Sequence, residues 1–191
     1  MSSLALDIRL ARQDDAADVA QVYISSWHDT YPGLLPEALL RAMTPKGQTT
    51  RWLAAIRAQA HEKILVADSR YGIVGMTGFG PARDRALGYD GEIYTLYVEP
   101  GYFGLGIGRA LMKQAFETFR ADGVKRCMLW AHARNNARFF YEAMGGRLIA
   151  ERETHLMGEA CPEVGFGWNA LKLSDHSSSA DPASGETDSI K

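Results

Sequence analysis

The sequence has little cysteine and no long apolar segment. Its two cysteines, Cys127 and Cys161, are too few for a disulfide framework and suit a reducing compartment. No apolar run approaches the roughly 20 residues that a membrane-spanning helix needs. Residues 1–4 lack the basic start of a secretion signal, and no long apolar stretch follows them. These absences predict a cytoplasmic protein that has no membrane partner.

An excess of charge of one sign is also lacking. The chain of 191 residues has 21 basic and 23 acidic side chains, for a net charge of −2. Residues 174–191 contain four acidic side chains, one lysine and no aromatic residue, which is typical of a disordered acidic, serine-rich tail. The remaining residues, 1–173, are close to electrically neutral, which argues against a nucleic-acid partner. Their length suits a single domain.

Several familiar site motifs are missing as well. The five histidines show no paired spacing typical of metal ligands, so no metal is expected. The chain has no Gly-x-Ser-x-Gly sequence of a serine hydrolase. The third glycine of a dinucleotide-binding pattern falls on Arg109, and no Gly-Lys-Ser/Thr follows the glycines. A nucleotide-dependent oxidoreductase therefore stays an alternative that ligand binding has to exclude.

The most informative segment that is present covers residues 101–109. It places four glycines between an apolar stretch predicted to be a strand and an amphipathic stretch predicted to be a helix. Glycine permits unusual backbone angles and close approach of a ligand, and the start of a helix offers unpaired N–H groups with a partial positive charge. This junction predicts a site for a phosphorylated cofactor.

Hydrophobic periodicity predicts an alternation of strands and helices. The predicted strands are 6–10, 63–67, 73–80, 92–98, 124–130, 147–151 and 163–171, with a hairpin turn at 69–72 and a connection at 157–162. The predicted helices are 14–27, 36–43, 48–60, one from Ile107 to a stop at Gly123, and one from Ala137 to Met144. This order predicts an α/β fold with a mixed sheet and helices on both faces.

Two motifs resemble the GNAT superfamily of N-acetyltransferases. Residues 92–111 are similar to its acyl-CoA-binding motif, and residues 135–146 are similar to a second motif, in which asparagine precedes a Phe-Tyr-Glu helix that ends at glycine. A helix and a strand separate the two motifs, as in the family. The resemblance implies a mostly antiparallel central sheet of about seven strands and an acyltransferase that depends on acetyl-CoA.

The resemblance assigns the CoA pyrophosphate to backbone amides of the glycine segment. The cofactor-binding residues that it implies are Leu96, Tyr97, Val98, Phe103, Gly104, Leu105, Gly106, Ile107, Gly108, Arg109 and Asn135. The family usually has Gln or Arg at the position of Phe103, so affinity for CoA is expected to be reduced but not abolished. Arg109 and Lys113 either contact CoA phosphates or form a solvated face. Asn135 either contacts the cofactor or only caps its helix.

Acetyl transfer to an amine needs a neutral nucleophile, a stabilised oxyanion and a proton for the departing thiolate. The resemblance makes Tyr141 the general acid, with packing on its apolar stripe as the alternative. Glu92 is spaced from Gly106 like the base glutamate of histone-type members, and the alternative is a strand-end residue that faces solvent. A backbone amide near Val98 is expected to stabilise the oxyanion.

The segment that begins at Trp27 resembles the substrate-side helices of polyamine and small-amine acetyltransferases. It implies that Trp27 and Tyr31 line the acceptor pocket, with core packing as the alternative. The expected reaction is direct transfer from acetyl-CoA to a primary amine, of a small molecule or polyamine, in a ternary complex. The alternatives are a non-catalytic acyl-CoA sensor and a protein N-terminal or lysine acetyltransferase, and a homodimer is left open. Three acidic residues would attract a cationic amine: Asp29, Asp84 and Asp90.

Overall fold

The computed structural model describes residues 5–58 and 61–171. The strands are β1 Leu6–Leu10, β2 Lys63–Ser69, β3 Gly72–Pro81, β4 Gly91–Val98, β5 Cys127–His132, β6 Arg147–Leu156 and β7 Glu159–Trp168. The helices are α1 Ala16–Thr30, α2 Glu37–Arg41, α3 Pro45–Ala58, α4 Ile107–Ala121 and α5 Ala137–Ala143, with short 3-10 turns at Gln13–Asp15 and Pro100–Tyr102. The predicted tail, 174–191, lies outside the described residues.

The seven strands form one sheet in the order β1-β2-β3-β4-β5-β7-β6. Neighbouring strands are antiparallel except for β4 and β5, which are parallel. On one face α4 buries Leu111 and Phe116 against the sheet together with residues of α5. On the other face α1 and α3 bury Val19 and Trp52. The prediction of a mixed, mostly antiparallel sheet with helices on both faces is confirmed.

The last two strands differ from their predicted bounds, since β6 continues to Leu156 instead of ending at 151, and β7 covers Glu159–Trp168 instead of 163–171. The expected connection at 157–162 is wrong, because β6 and β7 meet in a tight hairpin at Met157 and Gly158, whose φ angles are 52° and 85°. Two positive φ values are the geometry of a primed hairpin turn. Pro162 fits inside β7 because its carbonyl accepts a hydrogen bond from Ala133 N–H, just beyond β5. The side of Pro162 that lacks an N–H therefore faces the end of β5, and the hydrogen bonds between β7 and β6 are not interrupted.

The fifth strand starts later than predicted. Gly123 ends α4 with a φ of 79°, and the N–H of Val124 donates to the carbonyl of Phe119 at 2.9 Å. Val124 thus closes the helix instead of opening the strand, and β5 begins at Cys127. β5 therefore runs on to His132, and residues near that end line the site described below.

Side-chain hydrogen bonds fix α1 to the end of β4. The hydroxyl of Ser26 donates to the carbonyl of Val98 at 3.0 Å, and the hydroxyl of Ser25 donates to the Glu99 carboxylate. Ser26 is buried, with 2% of its surface exposed. The C-terminal end of α1 is therefore held beside the C-terminal end of β4.

Candidate active site

An opening in the sheet separates the C-terminal halves of β4 and β5. Their parallel pairing ends at Ile93 and Leu129. Beyond that point β4 pairs with β3, and β5 pairs with β7. A cavity of about 930 Å³ lies in the opening and extends from the start of α4 to the end of α1. This volume is at the upper end of the range for small-molecule and cofactor sites.

Backbone N–H groups of β4 point into this opening. The N–H of Glu99 donates to the carbonyl of Val74 in β3 at 2.9 Å. Because successive residues of a strand direct their backbone groups to opposite sides, Leu96 and Val98 direct theirs away from β3 and toward the cavity. Both residues line the cavity. An N–H in this position is able to donate to a developing negative charge.

The glycine loop presents backbone amides to the other end of the cavity. Gly104 and Gly106 have φ angles of 77° and 79°, a conformation that other residues rarely adopt. Gly106 caps α4, and no side chain in the described part of the chain caps this helix start. The first bond within the helix runs from Ala110 N–H to Gly106 at 3.0 Å, so the amides before it face outward. This geometry suits a phosphate group.

The side chains of the loop contribute less to the cavity wall. Leu105 does not line it, whereas the other predicted cofactor residues do. Phe103 and Leu105 are 54% and 56% exposed. Arg109 lines the cavity and its guanidinium lies 3.6 Å from the Met144 sulfur. A Cβ on Gly108 would lie 3.3 Å from the Phe140 ring, so glycine here lets α4 approach α5.

Tyr141 lies in the cavity wall with two other polar groups. Burial raises its pKa well above the ordinary tyrosine value, and Tyr31 adds to the shift. Its ring packs against Phe166 at 5.7 Å between centroids. Burial also raises the pKa of Tyr31, and the side chains of Tyr97 and Asn135 partly oppose that rise. The structure thus brings the predicted acid together with Tyr31 and Asn135.

Asn135 caps its helix, which is one of the two alternatives, and its contact with the cofactor stays a prediction. Its side-chain oxygen accepts a hydrogen bond from the N–H of Ala137 at 2.8 Å, which caps the start of α5. The same residue lines the cavity and interacts with Tyr31. A cap and a cavity contact are therefore compatible in this loop.

Trp27 and Tyr31 differ in their surroundings. Tyr31 lines the cavity, and its contact with an acceptor stays a prediction. Trp27 is not among the lining residues and packs between Tyr23 and Tyr31, with ring centroids 5.2 and 4.8 Å away. Its contacts match the alternative of core packing, and an acceptor contact by Trp27 remains a prediction.

Glu92 is buried and bound to an arginine. It is 2% exposed, and its carboxylate accepts hydrogen bonds from the backbone N–H of Arg83 at 2.9 Å and from the Arg83 guanidinium at 3.0 Å. It does not line the cavity, although Tyr94 two residues later does. The structure therefore does not bring Glu92 into direct contact with the space around Tyr141.

The three acidic residues that were predicted to attract a cationic amine lie in different parts of the structure. Asp29 is exposed and lines the cavity. Asp84 and Asp90 are exposed in the connection between β3 and β4, outside the cavity wall, and Asp84 accepts a hydrogen bond from the N–H of Ala86 at 2.8 Å. Of the three, only Asp29 is placed to meet an acceptor in this cavity.

Two arginines of this region were missed by the sequence reasoning. Arg83 binds Glu92, and Arg134 lines the cavity while its guanidinium donates to the carbonyl of Gly33 at 2.6 Å. The position of Arg134 directly before Asn135 is the one signal that the sequence carries. Nothing in the local pattern around Arg83 indicates its partner.

Within residues 5–58 and 61–171 no group of three or more histidine, cysteine, aspartate or glutamate side chains is arranged to hold a metal ion. Across the same residues no helix combines the length and the apolar character needed to cross a membrane.

Comparison with known proteins identifies the family. Residues 23–146 match the acetyltransferase (GNAT) family. The uncharacterized N-acetyltransferase YuaI of Bacillus subtilis is 30% identical over 165 residues, which cover 86% of this chain and 93% of YuaI. The spermidine N(1)-acetyltransferase of Thermoplasma acidophilum is 23% identical over 152 residues, 78% of this chain and 92% of that protein. The chain belongs to the GNAT family and is an acyltransferase that depends on acetyl-CoA.

Solved structures agree on the fold. A GCN5-related N-acetyltransferase from Rhodopseudomonas palustris has a TM-score of 0.70 at 19% identity, over 88% of this chain and 98% of that one. The PaiA N-acetyltransferase from Thermoplasma acidophilum, in complex with coenzyme A, has a TM-score of 0.65 at 21% identity, over 84% and 98%. These likenesses support the GNAT fold.

Proposed function

We propose that this enzyme transfers the acetyl group of acetyl-CoA directly to the primary amine of a small molecule while both substrates are bound. The observation that carries the proposal is the continuity of the cavity. Gly104 and Gly106 of the glycine loop line the same cavity as Tyr31 and Tyr141. One space between two diverging strands would thus join the proposed anion site to the proposed proton donor.

The glycine loop is proposed to hold the CoA pyrophosphate. Backbone amides from Phe103 to Arg109 would donate to its oxygens, at the positive end of α4. The space between β4 and β5 would take the pantetheine arm, beside the backbone groups of Leu96 and Val98. When bound there, acetyl-CoA supplies the thioester that is the acetyl donor.

Tyr141 is proposed to act as the general acid. Because burial raises the pKa of Tyr141 above its ordinary value of about 10, its hydroxyl stays protonated at neutral pH. It would donate that proton to the thiolate sulfur that departs. Tyr31 and Asn135 would hold the hydroxyl groups at this end in place, and a β4 N–H would stabilise negative charge on the acetyl oxygen.

For the base we propose Glu92 acting through a water molecule. Arg83 fixes the Glu92 carboxylate and also lies 5.0 Å from the ring centroid of Tyr94, a residue of the cavity wall. A water beside Tyr94 would carry the amine proton toward Glu92.

The test is a thiol-release assay with acetyl-CoA and a panel of small amines, polyamines, amino acids and peptides, with products confirmed by mass. We expect a small amine to be acetylated. Acetylation of peptides alone would favour a protein acetyltransferase. Stabilisation by acetyl-CoA in a thermal shift, with no amine consumed, would favour the sensor alternative, and stabilisation by NAD alone would contradict the proposal.

A further inference from the structure

Two carboxylates close to the cavity wall are held in ion pairs. Glu92 is paired with Arg83, and Glu163 is paired with Arg152 at 2.7 Å. The Arg152 guanidinium lies 3.9 Å from the ring centroid of Trp130, which lines the cavity. Because each of these carboxylates already has a guanidinium partner, they offer little net negative charge to a polycation.

Arg134 differs from these arginines. It lines the cavity, and within residues 5–58 and 61–171 it takes part in no ion pair. Among the described residues its guanidinium donates one hydrogen bond, to the carbonyl of Gly33. A guanidinium has five N–H donors in a planar fork that matches a carboxylate, so this bond leaves donors for an anion in the cavity.

Two neighbours place Arg134 at the acceptor end of the cavity. It directly precedes Asn135, which interacts with Tyr31. Its partner Gly33 follows Tyr31 by two residues. Tyr31 and Tyr141 line the same cavity. Arg134 therefore contacts two segments, at Asn135 and Gly33, that adjoin the proposed point of acetyl transfer.

We propose that Arg134 binds the carboxylate of an acceptor that carries this group beside its primary amine, as an α-amino acid does. The proposal rests on the proposed function and narrows the acceptor class. In the transfer a C–N bond forms while the C–S bond breaks, the amine loses a proton toward Glu92, and Tyr141 protonates the sulfur. The carboxylate only orients the amine. Asp29, at the same cavity, is the residue that would favour a polyamine instead.

The experiment compares matched acceptors. Initial rates are measured for L-phenylalanine and phenethylamine, L-leucine and isopentylamine, L-lysine and cadaverine, and for spermidine. We expect kcat/KM to favour the amino acid of at least one pair by about tenfold or more. In Arg134→Gln, the KM for that amino acid should rise by about 10- to 100-fold, while that for its partner amine changes by less than about threefold. Arg134→Lys should recover part of the loss.

Controls separate this proposal from its rivals. Asp84→Asn, at an exposed residue outside the cavity wall, should leave the preference of each pair unchanged, and thermal shifts with acetyl-CoA check that each variant folds. An equal loss for both members of every pair in Arg134→Gln would show that Arg134 only joins the two loops, and would overturn the proposal. A preference for spermidine or cadaverine that Asp29→Asn removes would also overturn it. If no acceptor in the wider panel is acetylated, the proposed function itself fails.

Discussion

The two ends of the cavity present different kinds of chemical group. At the glycine loop the groups available to a ligand are backbone amides, and the side chains of Phe103 and Leu105 are more than half exposed. At the acceptor end the cavity wall includes Tyr31, Tyr141 and Arg134, whose polar groups are side-chain hydroxyls and a guanidinium. Binding by backbone depends on local conformation, so it tolerates many side-chain changes. Binding and proton transfer by side chains depend on single residues.

Loss of the Tyr141 hydroxyl should have the largest effect. In Tyr141→Phe we expect kcat to fall by about 100-fold or more, because general acid catalysis contributes about that much. The Kd for acetyl-CoA, measured by calorimetry, should stay within about twofold of wild type, since the amides at the other end are untouched. Tyr71→Phe, at an exposed tyrosine outside the cavity wall, is the matched control. A fall of less than threefold would mean that Tyr141 only packs.

The pH profile checks the same residue. Burial raises the pKa of Tyr141, and an acid donates only while it is protonated, below its pKa. The alkaline side of the kcat profile should therefore stay flat to about pH 10, the ordinary tyrosine value. An alkaline decline centred below pH 9 that disappears in Tyr141→Phe would contradict this prediction.

Glu92 should give the next largest effect. If Glu92 is the base, Glu92→Gln should lower kcat/KM by about tenfold to 100-fold at pH 7. Arg83→Gln leaves the buried carboxylate without its guanidinium partner, so it should lower the melting temperature, but it should lower kcat/KM less than Glu92→Gln does because the carboxylate is still present. Equal losses of activity and of thermal stability in the two variants would instead show that the ion pair is only structural.

Gly106 tests recognition by backbone. Any residue with a Cβ is strained at a φ of 79° by about 1–2 kcal/mol. Because alanine would favour a different loop conformation in the unbound enzyme, Gly106→Ala should weaken acetyl-CoA binding by about tenfold. It should leave kcat at saturation nearly unchanged. Gly101→Ala is the control, because no atom lies within 4 Å of its added Cβ and its φ is not in the left-handed region. Similar Kd values for the two variants would weaken the case for amide recognition.

Phe103 should give the smallest effect. Phe103→Gln keeps the backbone N–H, so we expect the Kd for acetyl-CoA to improve by no more than about threefold. A gain above tenfold would show that this side chain, and not the backbone, limits affinity at the glycine loop.

Local patterns in the sequence predict the cofactor end well. Ile107, Leu111, Ala115 and Phe119 recur at four-residue steps, and each is at most 2% exposed against the sheet. The φ of Gly106 follows from the need to turn directly into α4. Both features depend on neighbours in the chain, so periodicity and glycine placement reveal them.

The acceptor end depends on contacts between distant segments, which the sequence does not display. The strand pattern gives no direction for Glu92, whose partner Arg83 comes from the preceding connection. The bond from Arg134 to Gly33 joins residues 101 positions apart. For the same reason the role of Trp27 was ambiguous, since spacing alone does not tell a packed tryptophan from one that lines a cavity.

The divergence of β4 from β5 leaves a gap in the middle of a hydrogen-bonded sheet. In the described sheet the amides of Leu96 and Val98 have no strand beside them on the β5 side. Their amide hydrogens should therefore exchange with deuterated solvent faster than the amide hydrogen of Tyr97, which faces β3. Bound acetyl-CoA would occupy the place of the absent strand and slow that exchange, so these two amides would report directly on how the ligand completes the sheet.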